Sequence, residues 1–249
     1  MLMLMDDTVI LASTRERAIE KLQVLEEFCT SSGMIINEAK TQFMVLNGEE
    51  GDRRTLKTES LSIKNCNSYT YLGCIYTQDG KMTSAVKAQL QSKWSHVAKF
   101  EAFVKKNNDA PYMVKEKVFT AALTSAILYG METWLSPAAI EAARPTYMQC
   151  IRLLLGVRKT TAGDLCLVEA GQPSLMQRVK TAQRSTIFKF IAEREGMADD
   201  PFSHAWTLAR NARTPCARYI MSLETFRPET EDRRLRERIQ ASERTKFAT

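Results

Sequence analysis

The sequence of 249 residues holds no apolar run long enough to cross a bilayer. Its longest nearly apolar stretch, Phe119 to Tyr129, is interrupted by Thr120, Thr124 and Ser125 and falls far short of the ~20 residues a spanning helix needs. The apolar opening Met1–Met5 has no basic flank and is cut off by Asp6-Asp7, so it does not read as a signal peptide. Histidine is scarce: His96 and His204 are the two. None of the six cysteines (Cys29, Cys66, Cys74, Cys150, Cys166 and Cys216) forms a C-x-x-C pair. That spacing excludes the usual zinc-binding patterns and argues against a disulfide scaffold in a chain of this length. Reduced thiols and an intracellular setting, cytoplasm or nucleus, are the expectation, with no membrane partner. No internal repeat recurs at a fixed period.

What is present is an ample apolar fraction, 44%, and a modest basic excess, 35 Lys and Arg against 29 Asp and Glu. The first excludes wholesale disorder. The second makes contact with a polyanion physically easy without specifying one.

The pattern changes character once along the chain. Met1–Met5 and Thr8–Ala12 read as two short buried strands around Asp6-Asp7. Ser13, with Glu16 three residues on, reads as the capping box of a helix. Ala18, Leu22, Leu25 and Cys29 form its apolar face, and Gly33 ends it. Met34–Ile36 and Phe43–Leu46 read as strands, Gly48–Arg54 as a polar turn and Thr55–Ile63 as a weaker strand. Tyr69–Thr77 reads as a hairpin before the Asp79-Gly80 turn.

Beyond Gly80, Val86, Leu90, Trp94, Val97, Phe100 and Val104 recur at helical spacing, predicting one long amphipathic helix. Pro111 suits the first turn of a second helix through Tyr129. Further helical patterns cover 137–155, 174–195, 201–212 and 228–246. The fold class is therefore α+β: an α/β portion over 1–78, a helical region over 79–200, and a charged helical tail over 201–249. In the tail Arg233, Arg234, Arg236, Arg238 and Arg244 alternate with Glu231, Asp232, Glu237 and Glu243, which suits a solvated helix.

Adjacent aspartates between apolar strands are costly to bury unless cations or donors compensate. A hard divalent ion does so, and Mg²⁺ favours carboxylate oxygens with water and phosphate. In two-metal phosphoryl transfer, carboxylates hold two ions that stabilise the attacking and leaving oxygens. The plain alternative is a solvent-exposed Asp-Asp turn with no ligand. A phosphoacceptor receiver domain would need alternating βα units, which this pattern lacks.

Several segments then follow in fixed order: Asp6-Asp7-Thr8-Val9-Ile10-Leu11-Ala12, Leu25-Glu26-Glu27-Phe28-Cys29, Gly33-Met34-Ile35-Ile36-Asn37 with Lys40-Thr41, and Tyr71-Leu72-Gly73. Leu128-Tyr129-Gly130-Met131-Glu132-Thr133-Trp134 and Arg152-Leu153-Leu154-Leu155-Gly156 come later. In this order and spacing, to about residue 180, the chain resembles the reverse transcriptase of LINE-type (non-LTR) retrotransposons from its catalytic acidic hairpin onwards.

The resemblance implies a partial palm followed by a helical thumb-like region. It implies that Asp6 binds catalytic metal with Asp7 as its partner, in a two-ion Mg²⁺ site. Lys40 would stand near the incoming nucleotide and protonate departing pyrophosphate, or else be an ordinary surface lysine. Tyr71, Leu72 and Gly73 resemble the primer grip, or else form a plain strand pair. RNA template and DNA primer are the implied partners.

Eight lysines between Lys81 and Lys117 face three acids there. Lys81, Lys87, Lys99, Lys105 and Lys106 are the candidates for phosphate contact. On a single helix the six-residue spacing from Lys81 to Lys105 advances about 240° per step, so no single basic stripe results. Lys93 would have to snorkel from the apolar arc.

Two departures from the family accompany the match. Leu4 and Met5 stand where the family carries an aromatic residue and alanine, which removes a packing surface beside the primer end. The family's fingers and first palm aspartate come before the point that matches residue 1. The expectation is therefore a C-terminal part of a polymerase, inactive alone. The alternatives are a non-catalytic nucleic-acid-binding module, or a domesticated protein that pairs with a partner through an exposed palm edge.

Overall fold

A computed structural model describes residues 2–4, 7–194, 211–223, 225 and 226, together with the single residues 207 and 237. The chain divides into two compact units. The first comprises Met1–Tyr71 and Ile75–Lys81, the second Leu72–Cys74 and Met82–Thr249.

In the first unit, helix α1 (Arg15–Ser31) has clear punctuation at both ends. Thr14 is its N-cap, with the hydroxyl accepting from the Arg17 N–H at 3.3 Å. This corrects the expectation of Ser13 by one residue. Gly33 ends the helix at φ +69°. Its N–H donates to the Thr30 carbonyl, while the Met34 N–H donates to the Cys29 carbonyl at 2.8 Å. That pair of bonds satisfies the last carbonyls, and the left-handed residue between them suits glycine.

Strands β1 (Leu2–Leu4) and β2 (Asp7–Val9) pair antiparallel, Leu2 opposite Val9 and Leu4 opposite Asp7. Three further strands form a mixed sheet: β3 (Gln42–Phe43), β4 (Leu56–Lys57) and β5 (Ser62–Asn65). In it β5 lies between β3, parallel to it, and β4, antiparallel. The strand expected at Phe43–Leu46 shrinks to the two residues of β3. Met34–Ile36 forms no strand: Ile35 is 94% exposed and the segment leads straight into the turn at 38–40. Leu22, Leu56 and Ile63 are this unit's buried cluster, flanked by half-buried Ala18, Ile19, Leu25, Phe43 and Leu61. Strands β6 (Ser68–Tyr71) and β7 (Cys74–Thr77) make the expected hairpin.

The second unit is helical. The long helix expected from Val86 to Val104 is two helices, α2 (Met82–Ser92) and α3 (Trp94–Lys106), parted at Lys93 (φ −96°, ψ 4°). The Ser92 hydroxyl donates to the Gln89 carbonyl at 2.8 Å, competing with the helical ladder at the break. Trp94 is consequently 46% exposed rather than on the apolar face. Lys93 is the breakpoint residue, not a side chain snorkelling from a continuous helix.

After Pro111, α4 (Tyr112–Val118) runs through a π turn (Phe119–Thr124) into α5 (Ser125–Ile127). The Thr124 and Ser125 hydroxyls bond back to the Thr120 and Ala121 carbonyls in that widened turn. Helix α6 (Pro137–Leu155) starts on Pro137 and ends at Gly156, φ +68°, where Arg152 also donates twice to the Thr161 carbonyl. Helices α7 (Gly163–Glu169), α8 (Leu175–Arg194) and α9 (Pro215–Ser222) complete the described elements. Neither α7 nor α9 is among the helices expected from sequence. The helices expected over 201–212 and 228–246 lie mostly outside the described residues.

Among the described residues one buried cluster of 24 residues runs from Val86 through Phe119, Trp134, Tyr147 and Ile151 to Tyr219 and Leu223. Tyr219 and Leu223, which fall in the charged tail expected over 201–249, join this core. Among the described residues no helix is long and apolar enough to cross a membrane. All six cysteines are free thiols, with Cys150 and Cys166 buried. The chain thus joins a few short strands and one helix, a partial palm-like set, to a helical region.

Candidate functional site

The residues singled out by sequence fall into four places. Asp6 lies outside the described residues, and the backbone of Asp7 opens β2 opposite Leu4. Lys40 is exposed at the end of the turn after α1. Asn37 builds that turn. Its side-chain oxygen accepts from the Lys40 N–H at 3.1 Å, and its carbonyl accepts from the Thr41 N–H at 2.9 Å and the Thr41 hydroxyl at 2.8 Å. The Asn37-to-Thr41 spacing is thus a local turn device that fixes the backbone beneath Lys40.

Among the described residues no three of His, Cys, Asp and Glu gather where they could hold a metal ion. The described residues therefore furnish no complete divalent-cation site by themselves.

The hairpin tip carries the most defined geometry. Leu72 and Gly73 adopt φ +49° and +78° in succession, the left-handed pair that a two-residue hairpin turn requires. Glycine meets that demand freely; Leu72 meets it at a steric cost. The Tyr129 hydroxyl donates to the Leu72 carbonyl at 3.0 Å. A Cβ on Gly73 would stand 2.8 Å from the Tyr129 ring. Gly130, φ +72°, approaches Cys74 so closely that a Cβ there would be 2.5 Å from its Sγ. Leu72–Cys74 and Tyr129-Gly130, separate in sequence, meet at this point. Tyr129 is not among the site residues expected from sequence; its signal is only the adjacent Gly130. Burial pushes the Cys74 thiol pKa up, Glu132 adds to the rise and Lys93 opposes it.

Lys81 in the first unit and Lys87, Lys99, Lys105 and Lys106 in the second are all exposed. Lys105 pairs with Glu101 at 2.8 Å and holds its carboxyl below the usual carboxylate range. Among the described residues Lys87, Lys99 and Lys106 make no ion pair. Because α3 begins afresh after Lys93, Lys99 and Lys106 are seven residues apart on one helix, about 20° from the same face.

Residues 1–76 match the family profile of reverse transcriptase (RNA-dependent DNA polymerase). The chain is also similar to a transposon-derived protein of Caenorhabditis elegans, 24% identical over 164 residues, which are 62% of this chain and 56% of that relative. The chain thus spans about half the length of a curated relative it matches. No solved structure matches it. The match covers Asp6-Asp7, β6 and the tip Leu72–Gly73 and ends within β7, and this portion of the chain is reverse-transcriptase-like.

Proposed function

We propose that the chain derives from the RNA-directed DNA polymerase of a LINE-type retrotransposon, and that by itself it holds a template–primer duplex without extending it. The family match over residues 1–76 carries this reading, because it encloses Asp6, Asp7, Lys40 and the tip Leu72–Gly73. In this reading Asp6 and Asp7 are metal-binding acids for Mg²⁺, Lys40 is the proton donor to pyrophosphate, and Tyr71, Leu72 and Gly73 form the primer grip. The helical unit, residues 79–200 with the packed part of the tail, plays the thumb. Its exposed Lys87, Lys99 and Lys106 meet the phosphates of a duplex of RNA template and DNA primer. Polymerisation needs a further carboxylate beside Asp6 and Asp7 to complete a two-ion site.

Salt-dependent retention tests the binding half. The full chain should retain an RNA–DNA template–primer duplex at low salt and release it as salt rises, because bound lysines displace counterions. Lys87→Gln, Lys99→Gln and Lys106→Gln together should weaken retention at least tenfold and flatten the salt slope. Unchanged affinity in that triple variant would count against the reading. A second reading, pairing of a protein partner with a palm edge, is favoured by one observation: among the described residues β1 and β2 form a two-stranded sheet, each with an open edge. A monomer that remains monodisperse at high concentration and recovers no partner would count against it.

A further inference from the structure

We infer that two buried glutamines, Gln89 and Gln183, are positioning residues for the hairpin tip Leu72–Cys74, because they pin the two ends of the turn on which that tip rests. The turn is Tyr129–Trp134. At its start the Gln89 amide, on a side chain 3% exposed, donates to the Tyr129 carbonyl. At its end Gln183, fully buried on α8, donates through Nε2 to the Trp134 carbonyl at 3.0 Å and to the Met131 carbonyl at 3.4 Å. The Gln183 Oε1 in turn accepts the Tyr219 hydroxyl of α9 at 2.7 Å.

Leucine would fill these interior positions with less polar cost, so the amides contribute direction rather than apolar burial. The pinned turn aims Tyr129 at the tip: hydroxyl on the Leu72 carbonyl, ring against Gly73, with Gly130 against the Cys74 sulfur. The strained φ of Leu72 persists when surrounding structure over-determines it, and this seat supplies that constraint. The geometric inference stands without nucleic acid. Its functional consequence, a tip held ready for a primer end, rests on the primer-grip reading above.

Cys74 reports on the seat. Alkylation of the full chain with iodoacetamide, resolved by peptide mass spectrometry, would follow Cys74 beside Cys150 of the helical core. Tyr129→Phe and Gln89→Met should each speed Cys74 labelling at least threefold, with Cys150 unchanged. Tyr219→Phe keeps the buried ring, so it reports on the α9 end even if Gln183→Leu fails to fold; it should give a smaller rise of the same kind. An unchanged Cys74 rate in all of these variants would overturn the inference. So would a parallel rise at Cys150, which would mark general loosening of the core. Adding an RNA–DNA template–primer duplex separates the two ideas. Slower Cys74 labelling in the unaltered chain supports both. No protection, with the variant effects intact, supports the positioning role and overturns the primer-grip reading.

Discussion

Among the described residues the helical unit gathers 24 buried residues into one cluster, whereas the strand-bearing unit gathers three, Leu22, Leu56 and Ile63. Yet the poorly cored unit carries nearly all of the segment that matches reverse transcriptases. It leaves Val24, Phe28 and Ile35 largely exposed on or just after α1. It relies on polar ties instead. Arg15 donates to the Asp52, Arg54 and Thr55 carbonyls, and Glu26 accepts from the Thr58 and Ser60 hydroxyls. Exposed ties of this kind contribute little net stability beside a packed apolar core. Residues that match a polymerase and residues that stabilise the chain are therefore largely different sets, and the two units should respond differently to the same kind of damage.

Deleting core volume sharpens the contrast. Phe119 is fully buried against Phe100, with ring centroids 5.8 Å apart. Phe119→Ala should cost the helical unit about 3–5 kcal/mol, read from the denaturant midpoint. Amide exchange across α1 should stay unchanged, since α1 packs on a separate buried cluster.

Alkaline pH should find the helical unit first. Burial pushes the Cys150 thiol and the Tyr219 phenol each up to about 12, from ordinary values of 9.0 and 10.0. Both groups are neutral when protonated, so the native state holds their protons more tightly than the unfolded chain. Stability from these groups is full below pH 9 and falls as pH rises from there to about 12. Cys150→Ala should remove the early part of that decline and Tyr219→Phe the later part, as measured by melting temperature against pH.

Leu22→Ala should cost about 2–3 kcal/mol, low in the usual range because its half-buried neighbours can close on the gap. With so small a cluster, the loss should still abolish amide protection across α1 while α6 remains protected. Gly73→Ala should cost about 1–2 kcal/mol, from its left-handed backbone and the clash with the Tyr129 ring. Faster amide exchange at the tip would show it. Thr14→Ala should cost about 1 kcal/mol through the lost N-cap bond of α1, a shift visible in the melting of the first unit.

Much of this architecture was legible in the sequence because it follows local rules. Gly33 and Gly156 end helices where a left-handed residue is needed, Pro137 opens one, and Leu72-Gly73 turns a hairpin. The mistakes arose where a non-local partner or a competing hydroxyl decides. Met34–Ile36 has the composition of a strand but forms none. The apolar spacing from Val86 to Val104 continues across Lys93, so periodicity could not reveal a break that Ser92 promotes. The turn after Tyr129 joins the Leu72–Cys74 tip over more than fifty residues of sequence, and no pattern in either segment names the other. The candidate acids were legible as a motif, while a complete set of metal ligands is a property of three-dimensional assembly.

Metal-dependent primer extension by the purified 249-residue chain separates a duplex-holding protein from a polymerase. An RNA template with a DNA primer, nucleotides and Mg²⁺ should give retention of the duplex and no extension, with Asp6→Asn indistinguishable from the unaltered chain. Template-directed synthesis that Asp6→Asn abolishes would contradict the duplex-holding reading, and would show that this chain completes a polymerase site on its own.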